Sequence, residues 1–177
     1  MNYNGSLIKK YSNLLLKNNK IEKDLYDKYN VKRGLRNQDS TGVLVGLTEI
    51  GDVHSYIMDE GEKIPVEGKL SYRGIDVKDL VKGIHKDNRF GFEECAYLLL
   101  FGELPNKAEL EEFGTLLGQN RQLPGKFAED TIFKVPSSDI MNMLARGVLV
   151  YYSFDKDPED LSVGHQVEQC IELIARM

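Results

Sequence analysis

Two cysteines among 177 residues, Cys95 and Cys170, leave no material for a disulfide scaffold. Both fall on helical patterns with apolar neighbours and read as buried free thiols in a reducing compartment. Long apolar runs are missing too. The amino end offers only Leu14-Leu-Leu16, with Lys9, Lys10 and Lys17 around it, too short for a signal or a membrane span. A cytoplasmic protein is therefore expected, with no membrane partner. Histidine is scarce: His54, His85 and His165 are the only physiological acid-base groups, and none has a partner at a telling spacing. There is no His-x-x-x-His, Cys-x-x-Cys or Gly-x-Ser-x-Gly, so metal-assisted hydrolysis and serine nucleophiles find no support. Gly61 to Gly68-Lys69 has the wrong spacing for a phosphate loop, and no Ser or Thr follows the lysine. From the residues themselves, no catalytic group and no metal ligand is assigned.

What is present describes an ordinary globular chain, 41% hydrophobic and 29% charged. The net charge of -5 conceals a basic head, with nine Lys/Arg against four Asp/Glu in residues 1–40. That head suits the acidic remainder of the chain, an anion or a membrane surface, the first being the plainest. No basic stripe with stacking aromatics accompanies it, which argues against nucleic acid. Leu7, Ile8, Tyr11, Leu14 and Leu15, then Ile21, Leu25 and Tyr29, predict two helices joined at Asn18-Asn19. The polar loop Val31–Gly42 carries Arg33 and Arg36 around Gly34. It reads either as a solvated linker or as a grip for phosphate. Val43–Ile50 and Val53–Met58, separated by Gly51-Asp52, predict a β-hairpin, and Asp59–Glu62 a second, acidic turn.

The most particular stretch runs from Val66 to Pro105. Lys69–Tyr72 alternates as a strand, Gly74 suits a turn, and Asp76 fits a helix N-cap. Arg73, beside that turn glycine, either bonds backbone carbonyls, the plainer reading, or holds an anion. A second helix from Phe92 carries Cys95, Ala96 and Leu99, and stops at Gly102 and Pro105. Asn106-Lys-Ala-Glu109 has the form of a capping box opening a helix with Leu110, Phe113 and Leu117 inward, and Glu111, Glu112 and Gln119 outward. Pro124 opens a shorter helix ending near Phe133. From Ser138 to about Phe154, Met141, Leu144, Val148 and Tyr151 line one helix face, while Ile140, Met143, Gly147 and Val150 line another. Such a helix needs cover on both sides, from a second subunit or from an internal core. The last pattern, Val163, Val167, Cys170, Ile171 and Ile174, is amphipathic and meets no stop signal before Met177. A fragment or shortened product of a longer protein is expected.

Gly68-x-Leu-x-Tyr-Arg-Gly74 and Phe92-Glu-Glu-Cys-Ala-Tyr-Leu-Leu-Leu-Phe-Gly-Glu-Leu-Pro105 resemble the citrate synthase family. The likeness continues through Asn106–Leu110, Arg121–Pro124, Ile140-Met141 with Leu144, and Leu173–Arg176, and covers roughly residues 33–177. One departure is Asp139-Ile-Met141, where the family often has His-Pro-Met. The resemblance implies a mainly α fold with a small N-terminal β-hairpin: a helical arm over 1–32, then the N-terminal part of the large domain over 33–177, with its C-terminal half absent. It implies a parent acyltransferase of the tricarboxylic acid cycle that condenses acetyl-CoA with oxaloacetate to give citrate and CoA. The CoA thioester is then a substrate, and no cofactor is tightly bound. The family's catalytic aspartate and histidines and its oxaloacetate-binding arginines fall beyond Met177, so these residues alone are expected to be inert. The resemblance offers Arg36 for the coenzyme A phosphates of a neighbouring subunit, and a homodimer through the helices at 138–154 and 163–177. Two alternatives stand beside this reading: a fragment of 2-methylcitrate synthase, which uses propionyl-CoA, and a non-enzymatic helical oligomerisation module.

Overall fold

The structure, a computed structural model, describes residues 5–29, 31 and 46–177. Its elements in order are α1 (Gly5–Asn18), α2 (Asp24–Lys28), β1 (Gly51–Asp59), β2 (Glu62–Tyr72), β3 (Ile75–Asp76), α3 (Val77–Lys86), α4 (Phe92–Phe101), α5 (Lys107–Gln119), α6 (Ile140–Tyr151) and α7 (Val163–Arg176). The fold is mainly helical, as the resemblance implied, and the expected hairpin is extended by a third short strand into an antiparallel sheet ordered β1-β2-β3. The chain divides into two units, residues 14–105 and residues 1–13 with 106–177.

In the first unit the hairpin is real, but it reverses at the second of the two expected turns, within Asp59–Glu62, and not at the first. Gly51 and Asp52 lie inside β1, paired with Tyr72 and Ser71, and the chain reverses at Glu60-Gly61. Both turn residues have positive φ, 47° and 88°, the geometry that matches the twist of two strands joined by two residues. Gly51-Asp52 was a competing signal of the same composition. The Glu60-Gly61 pair prevailed because it allows the longer pairing, from Asp59↔Glu62 to Gly51↔Tyr72, with one register shift between His54 and Tyr56. Upstream of it, Thr48 Oγ1 accepts the Ile50 amide at 3.1 Å, so the chain bends just before β1 instead of extending. The proposed strand at 43–50 is thus absent over 46–50, and its first residues lie outside the described ones. Pro65 sits beside a register irregularity, where β2 has no second neighbour, a position that spares its missing N–H.

Arg73 and Gly74, at φ 49° and 80°, make a second tight reversal from β2 into β3. Asp76 then caps α3, accepting the Lys78 amide at 2.8 Å. Leu80, Tyr97, Leu98 and Phe101 are the buried side chains here, and Tyr97 meets Phe101 edge-on at 4.7 Å.

In the second unit Asn106 and Glu109 form the expected capping box, each side chain bonding the other's backbone N–H at 3.1 and 3.0 Å. α5 packs on α7, burying Phe113, Leu116 and Leu117 with Val167 and Ile171, and Tyr11 of α1 stands edge-on to Phe113 at 6.0 Å. Pro124 does not open a helix. It belongs to a turn closed by Phe127 N to Pro124 O at 3.0 Å, and the helical residues that follow, Ala128–Phe133, form a single π-helical turn. Asp139, at the family departure, caps α6 by accepting the Asn142 amide at 3.0 Å. α6 itself ends in a 3-10 turn, Tyr152–Phe154, so the helical run reaches the expected Phe154 in two pieces.

Candidate functional site

Among the described residues three places stand out, two of them polar and one apolar, and the first is the Tyr-Arg-Gly turn. A helix leaves its last carbonyls without intrahelical donors. At the end of α4 they are met from outside: Arg73 Nη2 donates to Leu99 O at 2.9 Å, Asn19 Nδ2 to Leu100 O at 3.3 Å, and Asn18 Nδ2 to Phe101 O at 2.7 Å. Arg73 also donates to Asn19 Oδ1 at 2.6 Å and Asn18 O at 3.4 Å. Its planar fork ties the end of α1 to the end of α4, which offsets the left-handed backbone it must adopt. Gly102, at φ 82°, ends α4, and a Cβ there would stand 2.7 Å from Asn18 Cβ. The guanidinium is thus committed to backbone, the plainer of the two sequence readings.

The second place is a cleft of about 520 Å³ between the end of α6 and α7. Phe127, Tyr151 and Phe154 stack behind it, with Phe127 and Tyr151 centroids 4.7 Å apart. Arg176, whose side chain is 2% exposed, lies over Tyr151 at 5.5 Å, donates to Glu172 at 2.6 Å and reaches Asn120 O at 3.0 Å. On the opposite side Asp155 accepts from His165 at 3.0 Å and from Gln169 at 2.8 Å. Burial raises the Asp155 carboxyl, but the Gln169, Asp157 amide and His165 hydrogen bonds outweigh it and hold it below its usual range. Burial lowers the His165 imidazole, but Asp155, Asp160 and Glu168 outweigh that and raise it. This histidine-carboxylate pair was missed in the sequence because its members are ten residues apart across a turn. The only signal was Ser162, the N-cap that places His165 in the first turn of α7.

The third is the outer flank of α6, where Ile140, Met141 and Leu149 are 72%, 73% and 76% exposed. Gly147 and Tyr151 are its buried residues.

Of the other sequence candidates, Arg36 lies outside the described residues. His54 is exposed on β1, and His85 is exposed in the last turn of α3. Cys95 and Cys170 are free thiols, and burial pushes both above the ordinary thiol range, which disfavours the thiolate. Among the described residues no cluster of three His, Cys, Asp or Glu is placed to hold a metal, and no helix is long and apolar enough to cross a membrane.

Residues 38–177 match the profile of the family described as citrate synthase, C-terminal domain. The chain is 31% identical over 148 residues to a citrate synthase of Saccharolobus solfataricus, a span that covers 83% of this chain and 33% of that protein. It is 30% identical over 154 residues to 2-methylcitrate synthase 1 of Corynebacterium glutamicum, covering 83% and 35%. The chain thus spans about a third of the length of the curated relatives it matches. Its fold is similar to the crystal structure of citrate synthase from Pyrobaculum aerophilum, with a TM-score of 0.57 at 22% identity, over 82% of this chain and 37% of that one.

Proposed function

Because the chain belongs to the citrate synthase family, we propose that it is the N-terminal part of the large domain of an acyltransferase that condenses acetyl-CoA with oxaloacetate, giving citrate and CoA in the tricarboxylic acid cycle. The observation that carries this reading is the family match across residues 38–177. By itself the chain is inert. In support, His54 and His85 are exposed, and the remaining histidine is bonded to Asp155. Proton abstraction and enol stabilisation need an acid and a base free to converge on one substrate, and the bond to Asp155 engages one of the three histidines. The parent works in the cytoplasm with the CoA thioester as substrate, and Arg36 contributes to holding its phosphates.

The chain pairs with a second copy through 138–154 and 163–177. Supporting this is the bare apolar flank of α6, since an exposed patch of this kind marks an interaction surface. Light scattering at micromolar concentration should find a dimer, and a clean monomer would refute the pairing.

Assay of the chain with acetyl-CoA and oxaloacetate should release no free CoA above buffer, and turnover would overturn its inertness. The gene product read past codon 177 should condense acetyl-CoA. A stop codon there favours the oligomerisation module instead. Preference for propionyl-CoA favours 2-methylcitrate synthase, a reading supported by the similarity to the Corynebacterium glutamicum protein.

A further inference from the structure

The turn that joins α6 to α7 is organised on one carboxylate. Asp155 Oδ2 lies 3.0 Å from His165 Nε2 and accepts Gln169 Nε2 at 2.8 Å, while Oδ1 accepts the Asp157 amide at 3.0 Å. The side chains of Asp155 and His165 are 17% and 18% exposed, so water screens their pairing poorly. The other ring nitrogen, Nδ1, faces Glu168 Oε2 at 3.8 Å. Asp160 closes the same turn through the Ser162 amide and hydroxyl, at 2.8 and 2.9 Å. Lys156, Asp157, Glu172 and Arg176 are the other charged groups on the cleft wall, and α1 brings the uncharged Ile8 and Ser12 to Gly164.

One imidazole therefore has a carboxylate near each nitrogen. Only the doubly protonated ring can donate toward both. A neutral ring that keeps its Nε2–H for Asp155 turns a lone pair on Nδ1 toward Glu168. Of the three donors on Asp155, the histidine alone changes state near neutrality.

We propose that Asp155, His165 and Gln169 form a pH-responsive clasp, which fastens the turn at 155–162 to the first turns of α7 while His165 carries its proton and loosens as the ring gives it up.

The amino end of a helix disfavours a cation, and burial acts in the same direction, yet the surrounding carboxylates leave the His165 imidazole above its ordinary value. A raised histidine contributes stability that is complete below its unfolded value of about 6.5 and fades as pH rises through the folded one. Asp155, held low, contributes stability that is complete above about 3.9 and fades as pH falls through its folded value. The clasp is therefore tightest between the two folded values. Its release removes positive charge from the wall of the cleft.

Histidine-ring NMR on the full chain tests this directly. His165 should titrate above the ordinary histidine value of about 6.5, and Asp155→Asn should lower it. Exchange of the amides at 156–162, corrected for its intrinsic pH dependence, should be at least about threefold faster near pH 8.5 than near pH 6. His165→Gln should abolish that step. Gln169→Leu should speed exchange at both values and keep it, because the lost donor does not titrate. His165 titrating at or below the ordinary histidine value of about 6.5, or a pH step surviving in His165→Gln, overturns the clasp. Neither outcome needs the Asp155 variant to fold.

Discussion

α5 and α6 are near twins in length, 13 and 12 residues, and each opens on a side chain that caps its first turn, Asn106 and Asp139. By composition α6 is the more apolar, with Arg146 as its one charged residue, whereas α5 carries three glutamates. Burial runs the other way. Phe113, Leu116 and Leu117 of α5 are at most 6% exposed, while Ile140, Met141 and Leu149 of α6 are 72% exposed or more. Apolar content sets how much a helix gains from cover, but burial needs a neighbour of matching shape, and α5 has two, α7 and Tyr11. In this chain the greasier helix is the one left bare.

That contrast can be broken at four points. Phe113→Ala should cost about 3–5 kcal/mol in denaturant unfolding, since it empties a fully enclosed site. A cost under about 1 kcal/mol would mean that α5 is not the packed helix it looks. Arg176→Ala removes the side chain that bonds Asn120 O at the end of α5 and lies over Tyr151 at the end of α6, and should cost about 2–3 kcal/mol in the same measurement. Asn106→Ala and Asp139→Ala should each cost about 1 kcal/mol, and by similar amounts, because a cap acts on its own helix whatever covers the far side. A clear inequality between the two would tie capping to burial. Leu149→Ser should change unfolding by less than about 0.5 kcal/mol and weaken self-association in sedimentation. A large unfolding cost with no change in association would place cover for α6 inside the chain.

The parts of this fold that depend on residues within one turn of each other were legible beforehand. Asp76 before α3, the Asn106–Glu109 box and Gly102 after α4 all stand as their spacing indicated. Where two equally good local signals competed, the reading failed. Gly51-Asp52 and Glu60-Gly61 are both turn pairs, and only strand pairing decides which of them bends. The contacts of Arg73 were half legible: its turn suggested backbone carbonyls as partners, though not that they would belong to α1 and α4. For the Asp155–His165 pair the Ser162 cap marked only where His165 begins α7, and nothing marked its partner.

Sequence alone determined where the capped helices α3 and α5 start, where α4 stops and which family the motifs resemble, because caps, turns and periodicity are satisfied by atoms a few residues away. Tertiary structure decided which carboxylate meets His165, which carbonyls Arg73 holds, and why α5 is sheathed while α6 is not. Those outcomes depend on surfaces brought together across many residues, and chain spacing carries no record of such a meeting until the backbone has folded.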